Sequence, residues 1–579
     1  MCIRDSYKDE ALGPWRRERT GYRDDLLGIE VVGSQVSEHF DAGEPAIVGV
    51  ITHPLEEELL LRRIPWRLPV FGRTLIVRPA PGARGIGAFE ARRLPDFEGD
   101  ETTGSLCVVR NLEKGLTIYL APRVFRTLGL LLSGSSSPDN WVSRTEFYPS
   151  ADATGGIHAY WEHNAIYQAL RAGGWAGIPI AEYYLRLVAN LLDLADAHTG
   201  IPTARVWFWP DAKPFAYVPT FHVDQVGERT RWYKRHRTTR GDLIPIFQKC
   251  VALDKELGLY PNVTYFFEAR PDAVPTYPNA RALANYRIED EGIRECIAML
   301  RGEGYEVGLH NCHWAARELA EEVRLFRQAV GEVPSGTCGH YVVGGPQTPK
   351  WLQEMGVKWD ASSITQQGFE TVNGLYHPMR PFDAAAKCSL EIVEVPCFYT
   401  EWMQRSLGYG GLMPPLTFER LAGAVEMIRM LGGIWLSGFH AGGAYANALG
   451  FEEKLYRFIA TACARKGALI ATGGKVAAWW TARRHVRAAS ALDGERLTLA
   501  VAHDGSSEAG ALRGVTVAAR LPAGTEVQEV AVDGSPWRKF RVEREESCAR
   551  VLVALDHLGD GRQVELELVC AEASLAKTH

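Results

Sequence analysis

No CxxC pair occurs among the eleven cysteines, and an odd number cannot all be bridged within one chain. They read as buried free thiols of a reducing compartment. No run of 18 apolar residues is present, so no helix is expected to span a membrane. The start, Met1-Cys-Ile-Arg-Asp-Ser6, is polar, runs on to Trp15-Arg-Arg-Glu-Arg19, and carries no apolar stretch of a signal peptide. A cytoplasmic location is therefore the expectation, although the chain reads as beginning inside a domain, which leaves room for a leader upstream. Charge of one sign is not in excess either. The 64 Lys and Arg against 70 Asp and Glu give a net charge of -6, which offers no reason to expect nucleic acid as a partner. What is present is ordinary globular usage, 46% hydrophobic and 23% charged, over 579 residues. That length exceeds one core and suggests three or four domains.

The pattern changes along the chain. Residues 1–135 alternate short strands with turns, for example Ala46–Ile51, Thr74–Val77, Ser105–Val109 and Gly115–Leu120, and read as an α/β or β-rich accessory domain. Residues 136–200 are a linker, opening with Gly134-Ser-Ser-Ser-Pro138, and a helix at Ala181–His198, where apolar residues recur with helical period. The aromatic tract between them, with Trp161-Glu-His-Asn164, can line a sugar cleft or pack between domains. From 201 to 484, strands alternate with helices in about seven units, which predicts an α/β domain with a parallel sheet closed, or nearly closed, into an irregular barrel. Residues 485–579 turn to alternating apolar and polar strands and predict a β-sandwich.

Within the barrel region two apolar runs end in chemistry. Phe215-Ala-Tyr-Val-Pro-Thr-Phe-His-Val-Asp224 finishes in His222 and Asp224, and Tyr305-Glu-Val-Gly-Leu-His-Asn-Cys-His313 in His310 and His313. In a parallel barrel, strand ends of this kind meet at one face. A lone strand-end His or Asp is more often a cap or a satisfied polar group. Two such ends in one repeating pattern instead make a plausible three-ligand site for a divalent metal with an open position.

At these residues the chain resembles the polysaccharide deacetylase (NodB-homology) superfamily, the carbohydrate esterase family 4-like barrels. Thr220-Phe-His-Val-Asp224 and Gly308-Leu-His-Asn-Cys-His313 stand where that superfamily carries its base-and-ligand motif and its paired histidines. The resemblance implies a metal-dependent hydrolase, zinc the first expectation, that removes an N- or O-acyl group from a carbohydrate. It implies Asp224, His310 and His313 as ligands, with His340 in reserve because only two residues separate the histidines. It implies His222 as the base, in place of an aspartate, with the roles of fourth ligand and structural residue left open. Gly336-Thr-Cys-Gly-His-Tyr341 matches a third motif with Cys338 where an arginine is usual, and His340, Tyr341 and Trp351 are expected to bind substrate. His440, ending Ser437-Gly-Phe-His440, stands in the place of the general acid. The stretch 114–133 resembles the end of a glutamine-amidotransferase-like domain.

Two alternatives remain at this level: a glycosidase using paired carboxylates, with Glu268, Glu394 and Glu401 as candidates, and a carbohydrate-binding pseudoenzyme marked by His222 and Cys338. The basic loop of Arg229, Arg231, Lys234, Arg235, Arg237 and Arg240 is a solvated face or a lure for an anionic substrate. The oligomeric state is left open.

Overall fold

The structure, a computed structural model, describes residues 27, 29–35, 47–52, 67–71, 74–92, 97–99, 101–112, 115–121, 124, 127, 128, 131, 175, 178–199, 203–224, 226, 240–270, 286–313, 316–340, 347–362, 374–383, 386–400, 418–440, 451–504, 512–522, 525–545, 548–559 and 563–570. The chain divides into two compact units. One comprises Met1–Leu130 with Tyr183–Thr199, and the other Leu131–Glu182 with Gly200–His579. Among the described residues no helix is long and apolar enough to cross a membrane.

The described part of the first unit is rich in strands and also holds the helical residues Tyr183–Thr199. Its described strands form a three-stranded and a five-stranded sheet, and every described pairing in them is antiparallel. In Thr103–Leu112 four consecutive residues, Leu106, Cys107, Val108 and Val109, are buried, so the middle of that strand is covered on both faces.

In the second unit the expected strand–helix alternation is present. Its strands are β1 (Ala216–Val223), β2 (Thr264–Phe267), β3 (Glu306–Asn311), β4 (Gly336–Gly339), β5 (Trp359–Asp360), β6 (Val393–Glu394), β7 (Cys397–Thr400), β8 (Ile434–His440) and β9 (Leu469–Ile470). The helices are α1 (Arg240–Glu256), α2 (Glu291–Gly302), α3 (Ala316–Val330), α4 (Thr348–Glu354), α5 (Phe418–Leu431), α6 (Phe451–Arg465) and α7 (Gly473–Arg483). The sheet is parallel throughout, in the order β6-β5-β4-β3-β2-β1-β8-β7, with β9 beside the start of β1. All eight residues of β1 are buried, as expected for a strand covered on both faces.

The sheet is curled but not closed: β6 and β7 are its two edges, and no described pairing joins them. Yet Glu394 ends one edge and Cys397 begins the other, and three residues of chain reach about 11 Å at most. Covalent connection thus draws the edges together. Against about seven expected units there are two further strands, Gly336–Gly339, which is short and holds two glycines, and Cys397–Thr400, which follows β6 closely.

Residues 486–570 form two main antiparallel sheets. Leu497, Leu499, Val501, Leu566 and Leu568 of one share a buried cluster with Val517, Ala519, Val551 and Val553 of the other. The edge of the second sheet comes from far upstream: Ala204–Val206 pairs antiparallel with Thr516–Pro522. A domain boundary at 484 therefore does not separate all of the strands on its two sides.

Candidate metal centre

Register builds the site. Val223 pairs with Phe267, Phe267 with Leu309, and His310 with Cys338. The next position along each strand therefore sets Asp224, Glu268, His310 and Cys338 in one lateral row across four strands. Two residues earlier, on the same face, His222 pairs with both Phe266 and His440, and Phe266 with Gly308. This lower row is packed. A Cβ on Gly308 would stand 2.7 Å from the Phe266 ring, and one on Gly336 would stand 2.1 Å from the Trp359 indole. The glycines of Gly-Leu-His310 and Gly-Thr-Cys338 are thus demanded by the aromatic floor under the site.

The row converges. His310 Nε2 lies 3.3 Å from Asp224 Oδ1, His340 Nδ1 lies 3.8 Å from the same oxygen and 2.7 Å from Glu268 Oε1, and His440 Nε2 lies 3.2 Å from Asp224 Oδ2. His310 and His340 are nearly fully buried and Glu268 is completely so, while Asp224 and His440 retain some exposure. One ligand atom from each of Asp224, Glu268, His310 and His340 lies within 4.8 Å of the others.

Two observations test whether these residues fit a cation. The first is the His310 tautomer. Its Nδ1 lies 2.6 Å from the Cys338 carbonyl, which can only accept, so Nδ1 carries the proton. The Nε2 lone pair then faces a carboxylate oxygen, an arrangement that needs a proton or a cation between the two. The second is hydrogen bonding. Asp224 Oδ1 is buried without a hydrogen-bond partner, which calls for an explanation, and the completely buried Glu268 carboxylate is faced by His340 Nδ1 at 2.7 Å and by the Cys312 thiol. Ligand atoms set tetrahedrally around zinc stand about 3.3–3.6 Å apart, which matches the Asp224–His310 distance. The donor set fits a divalent cation.

Electrostatics agree. Burial works to raise the Asp224 carboxyl, but the facing His440, His340 and His310 overcome it and hold it well below the usual carboxylate range. Burial, and then the Asp224 charge, push Glu268 well above its ordinary value. Burial lowers His340, and burial with the neighbouring His310 and His440 lowers His222 far more. The cluster is short of positive charge.

The other expected residues lie as follows. His313 does not join the described ligand group. Its Nδ1 lies 3.1 Å from Glu322 Oε1, and that buried carboxylate also accepts from the backbone N–H of Cys312 and of His313. With two residues between the histidines, the second falls just after β3 and faces Glu322 of α3, while His340 lies beside Asp224 and Glu268. His222, expected as the base, turns Nε2 towards Cys338 Sγ at 3.6 Å. Trp351, expected at the substrate, packs on α4 against Leu319, Leu352, Val357, Leu390 and Ile392. Tyr341, Glu401, the tract around Trp161 and the basic side chains from Arg229 to Arg240 lie outside the described residues. Glu268, read at first only as a glycosidase carboxylate, belongs to the ligand group. Its position one residue past an apolar strand was the available signal.

No protein-family model matches the chain, and no curated protein sequence matches it. Among solved structures, it is similar to a protein described as a polysaccharide deacetylase from Mycobacterium smegmatis, at 19% identity over 48% of this chain and 93% of that one, with a TM-score of 0.31. It is similar to a family 4 carbohydrate esterase from Streptomyces lividans at 12% identity, 44% and 91% coverage and a TM-score of 0.24. An allantoinase matches comparably, at 13% identity, 47% and 92% coverage and a TM-score of 0.31. None of these three is described as an amidotransferase. TM-scores this low carry no conclusion about what the chain does.

Proposed function

We propose that the protein is a divalent-cation-dependent hydrolase that removes an acyl group, and that its substrate is an N- or O-acylated carbohydrate. The observation that carries the reading is the His310 Nε2 lone pair set against Asp224 Oδ1, a buried oxygen with no hydrogen-bond partner. The carbohydrate is carried by the sequence resemblance at Thr220–Asp224 and Gly308–His313.

Asp224, His310 and His340 would hold the cation, which when bound supplies an activated water and polarises an acyl carbonyl. The remaining work falls to the chain. Glu268 lies against the same point and would accept a proton, a positive charge nearby working against the burial that raises its carboxyl. His440, partly exposed at the mouth, is steadied at Nε2 by Asp224 Oδ2 and hands a proton to the departing group. The Cys338 carbonyl fixes the His310 ring.

The test is hydrolysis of an acetylated chitooligosaccharide and of a chromogenic acetate ester, with chelator and with added zinc. Activity should vanish on chelation and return with the ion. His440→Ala should lower the rate by about 10²–10⁴ while cation uptake is kept. A rate indifferent to chelator would exclude this reading.

A further inference from the structure

The Asp224 side is only half of the cluster. On the other side of His310, ligand atoms of His222, His310 and Cys338 also lie within 4.8 Å of one another, and all three residues are buried. Cys338 Sγ stands 3.6 Å from His222 Nε2. A tetrahedral zinc ion with bonds of about 2.3 Å to sulfur and 2.0–2.1 Å to nitrogen sets those two atoms about 3.5 Å apart. The rings crowd the same point, with centroids of His222 and His310 4.5 Å apart.

We propose that His222, Cys338 and His310 form a second, thiophilic cation position beside the carboxylate one, and that the two compete for His310. The proposal rests on the reading that this strand-end cluster takes a cation. Competition follows from the tautomer: with Nδ1 donated to the Cys338 carbonyl, His310 has one coordinating nitrogen and serves one position at a time. Donor chemistry then sorts the ions. Two imidazoles and a thiolate favour zinc, cadmium or cobalt, whereas Asp224 with His310 and His340 sets a carboxylate in place of the sulfur and admits manganese. Binding on the sulfur side releases the thiol proton to solvent. His222 and Cys338 both depart from the related motifs, and both departures fall within this one donor set.

The test uses the full chain stripped of metal, and its readouts do not depend on turnover. Cadmium and cobalt(II) should each produce near-ultraviolet thiolate charge-transfer absorption, and manganese should bind without it. Cys338→Ser and Cys338→Ala should both lose the absorption and bind cadmium at least about 100-fold more weakly, with manganese affinity and circular dichroism unchanged. Asp224→Ala should show the reverse, keeping the cadmium absorption and losing manganese. Saturating manganese should raise the apparent cadmium Kd if His310 is shared. Cadmium that binds without thiolate absorption, or with absorption that survives both Cys338 variants, overturns the proposal. A wild-type chain that binds neither manganese nor cadmium removes the proposed function as well, so the two failures are distinguishable.

Discussion

Two buried carboxylates in the same unit, Asp254 and Glu268, look alike by burial and differ in everything that matters for chemistry. Asp254 sits on α1, fully buried, and accepts from Tyr456 Oη at 2.6 Å on one oxygen and from Tyr265 Oη at 3.2 Å on the other. Burial raises it to about 7, and the tyrosines only partly offset that. Glu268 is equally buried and also pushed up, yet the groups it faces are ionisable: His340 Nδ1 at 2.7 Å from Oε1, the Cys312 thiol and the Asp224 carboxylate. A perturbed acid alone does not mark a functional site. The distinction lies in the neighbours: tyrosine hydroxyls meet both oxygens of Asp254, whereas Glu268 shares its surroundings with Asp224, His310 and His340.

The sharpest way to break this comparison is to remove a ligand. Asp224→Ala or His310→Ala should weaken zinc uptake by well over the about 10–100-fold typical of outer-shell changes, as read by equilibrium dialysis, whereas Asp254→Asn should leave uptake unchanged. Equal losses in both would mean that uptake tracks stability. Next, Glu268→Gln should cost about 10²–10⁴ in hydrolytic rate while the protein still loads zinc. A full rate would return Glu268 to a structural role.

The pH dependence of stability sharpens the other half. The unfolded chain releases the Asp254 proton near the ordinary carboxyl value of 3.8, and the folded chain holds it to about 7. Between these values the folded state binds the extra proton, so stability is greatest below the lower value and falls as pH rises through the window. The fall amounts to no more than ~4 kcal/mol for this residue. Thermal scans from pH 5 to 8 should show that slope in the wild type and a flatter one in Asp254→Asn; parallel slopes would contradict the assignment. The smallest effect belongs to His313. His313→Ala should leave zinc uptake within a few-fold, whereas Glu322→Gln, which weakens the acceptor for two backbone N–H groups, should destabilise by about 1–3 kcal/mol in chemical denaturation.

Much of the frame was legible. Apolar runs ending in His222, Asp224, His310 and His440 stand at the strand ends, because a strand buried on both faces must be apolar until it leaves the sheet. The row was not legible. That Glu268 sits between Asp224 and His310 depends on the register of three strands, and no local pattern encodes register between distant strands. His313 misled for a similar reason: its partner Glu322 lies on the face of α3 that also buries Leu319, Val323 and Phe326, and an acid on an apolar face was the signal passed over. Trp351 reads as a sugar-stacking aromatic by type but is packing by place. Strand Ala204–Val206 is short and finds its partner more than 300 residues later, beyond the reach of any periodicity.

The central claim is that a divalent cation is bound at the ends of β1, β3 and β4. The most direct test is anomalous scattering from crystals of the zinc-loaded wild type and of the manganese-loaded wild type. The account predicts a manganese peak about 2.0–2.3 Å from Asp224, His310 Nε2 and His340 Nδ1, and a zinc peak at the same strand ends with His310 Nε2 among its ligands. Loaded crystals with no peak within reach of His310, or with peaks only at surface residues, would contradict it.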